Sequence, residues 1–142
     1  MNKTIKRIIS TVLVISTLCT LIACSKTNAT PTLWDSAAYV ENTTLGNGEN
    51  TLVVEVKAEE KSVTFTVYID EDTVGEALLE HQLIDGENSD YGLYVKVVNG
   101  ITADYDVDQS YWAFYIDGEY ASTGVDSTMI TEGSTYQLEY TK

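Results

Sequence analysis

From Thr51 onward the chain alternates apolar and polar positions with period two, broken once by a helical period. Leu52, Val54 and Val56 fall on one face of Thr51–Lys57. Val63, Phe65, Val67 and Ile69 do the same in Lys61–Ile69, with Ser62, Thr64, Thr66 and Tyr68 opposite. The charged turn Ala58-Glu59-Glu60 joins the two runs and predicts an antiparallel hairpin. The period then changes. Thr73 with Glu76 three residues on fits a capping box, and Val74, Ala77 and Leu78 share a helical face. One helix is expected from about Thr73 to Leu83, ended by Asp85-Gly86-Glu87-Asn88.

The rest reads as strands. Leu93, Val95 and Val97 align within Tyr91–Val98, and Asn99-Gly100 marks a two-residue turn. A polar segment follows through Asp104, Asp106 and Asp108. Then come the aromatic run Tyr111–Ile116, the Asp117-Gly118 turn and a short return at Glu119–Ser122. The last strand is Thr135–Thr141, with Tyr136, Leu138 and Tyr140 on one face. A hairpin, one helix and several strands make an α+β fold. The expected form is a β-grasp-like mixed sheet packed with a single helix, with a strand-rich C-terminal half.

The first fifty residues differ. Lys3, Lys6 and Arg7 precede an uncharged apolar run, Ile8–Ile22, and Leu21-Ile22-Ala23-Cys24 resembles a bacterial lipobox. This predicts a lipoprotein signal peptide over 1–23, lipidation at Cys24, and attachment to the extracytoplasmic face of a bacterial cell membrane. Residues 24–50, rich in Thr, Asn and Ser, are expected as a flexible tether, interrupted by Trp34 and Tyr39, which could pack on the domain. The domain proper is expected over 51–142.

Composition narrows the function classes. The formal charge is −14, and removing the three bases of the signal peptide takes it to −17. Such a domain repels phosphate backbones, so no nucleic-acid partner is expected. Cys19 leaves with the signal and Cys24 is consumed by lipid, so the mature domain has no disulfide and no thiolate. No nucleophile elbow is present, and the chain reads as non-enzymatic.

Ordered motifs carry a family resemblance. They are Thr73-Val74-Gly75-Glu76-Ala77-Leu78, then Gly92-Leu93-Tyr94-Val95-Lys96-Val97-Val98-Asn99-Gly100, then Trp112-Ala113-Phe114-Tyr115-Ile116-Asp117-Gly118, and finally Gly124-Val125, Gly133 and Tyr140. In this order the chain resembles the transcobalamin-like C-terminal domain family, in its bacterial surface-lipoprotein form. The family's animal members use this domain as a lid on one face of cobalamin, beside a helical barrel. The resemblance implies a corrinoid as candidate ligand, with no cofactor required and a membrane transporter or surface protein as candidate partner. The alternative is a structural or protein- or glycan-interaction module of the cell surface.

Alternation divides the aromatic strand. Trp112, Phe114 and Ile116 share one face, Tyr111, Ala113 and Tyr115 the other. Tyr111 and Tyr115, with Tyr105 and Tyr120, could form an exposed platform for a planar ligand or sugar. Ordinary cross-strand packing is the competing reading. Candidate binding residues are Tyr105, Tyr111, Trp112, Tyr115 and Tyr120. Asp104, Asp106 and Asp108 resemble part of a calcium loop, but Gln109 and Tyr115 stand where an EF-hand needs Gly and Glu. His81, the only histidine, has no second His or free Cys to complete a metal site and reads as a helix-end residue at the core rim.

Overall fold

The alternating runs become a sheet. β1 spans Thr43–Gly46, β2 Asn50–Ala58 and β3 Lys61–Ile69 in the computed structural model, which describes residues 29–142. The expected signal peptide and Cys24 lie outside those residues. β2 and β3 form the expected antiparallel hairpin, paired from Asn50 opposite Ile69 to Ala58 opposite Lys61. Their apolar face (Leu52, Val54, Val56, Ala58, Val63, Phe65, Val67 and Ile69) is buried. Each of the larger side chains contributes about 1.5–3 kcal/mol by leaving water.

Thr73 caps the main helix, α1 (Val74–Glu80). Its hydroxyl accepts from Glu76 N at 3.2 Å and donates to Glu76 Oε2 at 3.1 Å. A cap of this kind is worth about 1 kcal/mol. Val74, Ala77 and Leu78 turn inward as expected. The helix ends earlier than Leu83. Gln82 takes φ 55°, Leu83 N reaches back to Leu78 O, and Gln82 N reaches Leu79 O. These two bonds close a Schellman motif, which satisfies the last carbonyls.

The predicted loop after the helix is instead a strand. β4 (Ile84–Ser89) pairs antiparallel with β5 (Gly92–Val98), with a bulge between Asp85 and Gly86. Only Ile84 of β4 is buried. Backbone pairing, not an apolar stripe, therefore makes this strand. β5 turns through Asn99-Gly100 into β6 (Ile101–Thr102). Both turn residues have positive φ, 51° and 79°, the type I′ geometry that this pair favours. A short helix, α2 (Tyr105–Asp108), precedes β7 (Tyr111–Ile116), β8 (Glu119–Tyr120) and β9 (Thr135–Thr141).

The larger sheet runs β1-β3-β2-β9-β7-β8 and the smaller β4-β5-β6. β1–β3 and β2–β9 are parallel, and the other pairs are antiparallel. The fold is α+β, with a mixed sheet and one main helix. A 3-10 turn at Val125–Ser127 packs against α1 and β5. There Asp126 Oδ2 accepts from Leu93 N at 3.3 Å. A Cβ on Gly92 would stand 2.5 Å from that oxygen, and Gly92 has φ 104°.

Residues 31–50 depart most from expectation. They belong to one compact unit, Pro31–Lys142, and are not a loose tether. Trp34, in a 3-10 turn at Leu33–Ser36, is buried and donates Nε1–H to Ala58 O at 2.9 Å. Lys61 Nζ sits 4.7 Å from its ring centroid. Tyr39 packs edge-on against Phe65 at 5.5 Å. Asn99, fully buried, accepts from Tyr39 N at 2.9 Å and donates to Tyr39 O at 2.8 Å. Among the described residues no helix is long and apolar enough to cross a membrane.

Candidate ligand-binding site

The aromatic strand splits as its alternation predicts for Trp112 and Phe114, but Ala113, on the face of Tyr111 and Tyr115, is also buried and Ile116 is only half-buried. Trp112 and Phe114 are each 8% exposed and join the core. Trp112 meets Tyr140 edge-on at 5.7 Å, and Phe114 stacks on Tyr136 at 6.2 Å. Trp112 thus stands on the opposite face from Tyr111 and Tyr115 and apart from any outward platform. Its Nε1–H is buried without a partner among the described residues. On the outer face Tyr115 pairs with Tyr120 across β7–β8, edge-on at 5.5 Å. The Asp117-Gly118 turn next to them is fastened to β9. Asp117 accepts from Thr135 N at 2.7 Å and from Ser134 Oγ at 3.0 Å. These bonds, Thr135 N–H first, hold its carboxyl below the usual range.

Tyr111 and Tyr105 belong to a different place. With Asp106 and Tyr94 they line an open cleft of about 540 Å³. Tyr105 and Tyr94 are 57% and 40% exposed, a large apolar area left to solvent. The five candidates therefore divide three ways: Tyr105 and Tyr111 in the cleft, Tyr115 and Tyr120 as a pair on β7–β8, and Trp112 in the core. Tyr94 and Asp106 are the residues that sequence reasoning missed. Tyr94 was legible in principle, because it alternates out of phase with Leu93 and Val95 on β5. Asp106 needed the conformation of its segment, which forms a helical turn.

Local chemistry makes that turn. Asp104 caps α2 by accepting from Asp106 N at 3.0 Å, and Gln109 ends it at φ 65°. Ser110, 1% exposed, accepts from Asp104 N at 3.0 Å and donates to Asp108 Oδ1. Lys142 Nζ lies 2.8 Å from Asp108 Oδ2. Lys142 first, and Ser110 next, hold the Asp108 carboxyl down at about 2. Lys96 lies 3.1 Å from Glu87 and 3.6 Å from Asp104, and its own pKa is raised, chiefly by Glu87. Asp104 and Asp108 are thus committed to a cap and to ion pairs and do not form a calcium cage with Asp106. Among the described residues no three His, Cys, Asp or Glu side chains are placed to hold a metal ion.

A second cavity, about 420 Å³, is lined by Glu49, Glu71, Asp72, Glu132, Met129 and Ile130, among others. The neighbouring Glu80 carboxyl lowers the Glu71 pKa, and Glu71 raises that of Glu80. Its lining is mostly polar and carries no ring to seat a ligand. His81 caps the C-terminal end of α1, half-buried, with its ring against Gly46.

Comparison with known proteins agrees with this fold. No curated protein sequence matches the chain. A 1.30 Å crystal structure from Ruminococcus gnavus ATCC 29149, described as a proposed metal-binding protein, is 30% identical with a TM-score of 0.62. The match covers 66% of this chain and 98% of that one. Haptocorrin, solved in complex with Cbi, is 19% identical with a TM-score of 0.53 over 68% of this chain and 26% of its own. At that identity the likeness is one of fold. Residues 71–142 match the family described as a domain of unknown function, DUF4430; the chain belongs to that family, which has a transcobalamin-like fold.

Proposed function

We propose that this chain is a non-enzymatic binding module that seats a small ligand in the cleft of Tyr94, Tyr105, Asp106 and Tyr111. The observation that carries the reading is the cleft itself. Three tyrosines from three separate elements converge on one opening with a single carboxylate. Rigid rings with hydroxyl handles suit a flat ligand, and about 540 Å³ falls in the usual range for small-molecule sites. The fold shared with haptocorrin, solved with Cbi, supports a corrinoid as the first ligand to test. With lipidation at Cys24, the module would be anchored on the extracytoplasmic face of the membrane, beside an uptake transporter.

The test is calorimetric and spectroscopic titration of the full chain with cobalamin and Cbi. Heat and a cobalt-band shift, both lost in a Tyr94→Leu/Tyr105→Leu variant, support the reading. No heat and no shift with either compound defeat the corrinoid assignment. Native mass spectrometry after incubation with a mixed metabolite pool then tests the cleft itself, since a pool that leaves no adduct removes the binding-module reading. Anchoring is tested apart, by fatty-acid labelling of cells expressing wild type and Cys24→Ala; label on both overturns it.

A further inference from the structure

We infer that the cleft selects an organic cation, specifically a small molecule presenting a quaternary or methylated ammonium group. The inference rests on the cleft being a binding site, and it sets a small organic cation against the corrinoid as the ligand of that site. The acidic segment holds three aspartates at alternate positions, and their partners differ. Asp104 lies 3.6 Å from Lys96, and Asp108 lies 2.8 Å from Lys142. Asp106 has no ion-pair partner among the described residues, and it is the one of the three that lines the cleft. The only charge in the lining is therefore a solvent-exposed carboxylate with no ion-pair partner among the described residues.

The walls reinforce that sign. No Lys, Arg or His lines the cleft. Lys96 and Lys142, the cations of the surrounding structure, are already held by Glu87 with Asp104 and by Asp108. Tyrosine rings present negative faces, which attract a cation that has little hydration to lose. Methylated ammonium groups are of that kind. The chain's formal charge of −14 adds a broad negative field that raises the local concentration of cations and repels anions. A metal ion is a poor fit, because hard cations need six or more oxygens and one carboxylate is available. A neutral sugar would stack on the rings and donate hydroxyls to Asp106, but would gain nothing from its charge.

The experiment is an NMR titration of the full chain that follows the ring resonances of Tyr94, Tyr105 and Tyr111. The probes are choline, its neutral isostere 3,3-dimethylbutan-1-ol, and methyl glucoside. Choline is expected to shift these resonances and to bind about fivefold or more tightly than the isostere. Asp106→Asn should remove the preference while leaving the spectrum elsewhere unchanged. Its carboxylate makes no hydrogen bond or ion pair among the described residues, so folding is spared. Tyr94→Leu should abolish binding of both compounds. Equal binding of choline and isostere, or an unchanged preference in Asp106→Asn, overturns the cation inference and leaves the cleft reading standing. Binding of methyl glucoside without choline overturns it in favour of a sugar platform. If no probe shifts the tyrosines the cation inference also falls, and the metabolite-pool adducts decide separately whether the cleft binds anything.

Discussion

Replacing Asn99 with Ala should loosen the N-terminal segment from the sheet. The amide of this fully buried side chain makes a two-way bond to the Tyr39 backbone, at 2.9 and 2.8 Å. Each bond contributes about 1 kcal/mol net. The residue also holds φ 51°, which costs Ala about 1 kcal/mol more than it costs Asn. The sum is about 3 kcal/mol, a substantial part of the roughly 5–15 kcal/mol that stabilises a domain. For a domain of this size the midpoint of thermal unfolding should fall by about 10 °C. Two further variants separate the causes. Asn99→Gly tolerates the positive φ and should lose only the bonds, about 2 kcal/mol. Asn99→Asp keeps the acceptor for Tyr39 N but sets a carboxylate against the Tyr39 carbonyl, and should be at least as damaging as Ala. Urea melts give the energies, and hydrogen exchange at Ala38 and Tyr39 shows whether the loss is local. An Ala variant within about 0.5 kcal/mol of wild type, or a harmless Asp variant, would refute the reasoning.

Two other predictions rest on separate contacts. Gly92→Ala places a Cβ 2.5 Å from Asp126 Oδ2 at φ 104°, whereas Gly118→Ala at φ 83° meets nothing within 4 Å; urea melts should show about 1 kcal/mol for the second and at least twice that for the first. Asp108, held at about 2 by Lys142 and Ser110, contributes stability that is full above the ordinary carboxylate range near pH 4 and lost as pH falls through about 2. Melts from pH 7 to pH 2 should therefore show a flatter acid limb in Asp108→Asn, and an unchanged limb would count against the Lys142 clasp.

Features written into local side-chain chemistry were legible from sequence. The β2–β3 hairpin, the Thr73 cap, the type I′ turns and the two faces of β7 each depend on residues close in sequence. Features that depend on distant partners were not. β4 has one buried residue and exists because β5 offers it a backbone to pair with. Trp34 could be named as a residue that packs on the domain, but not its partner, because Ala58 O is 24 residues away. The cleft shows the same limit. Tyr105 and Tyr111 could be named from alternation and proximity in sequence. Tyr94 joins them only because the smaller sheet brings β5 beside β7.

The strand register gives the domain two poles. β2 and β9 run the same way and β7 runs against them, with Tyr111 opposite Thr141. The far ends of β2 and β9 and the start of β7 therefore share one pole. Trp34 docks there, on Ala58, and Lys142 is pinned there to Asp108. So are Tyr105 and Asp106, in the turn before Tyr111. Lys142 is thus held beside the segment that carries Tyr105 and Asp106, and the Asp117-Gly118 tip marks the opposite pole. A bulky tag or solid support joined at Lys142 would crowd the opening. A dye or linker at Gly118, whose added Cβ meets nothing within 4 Å, would leave it clear.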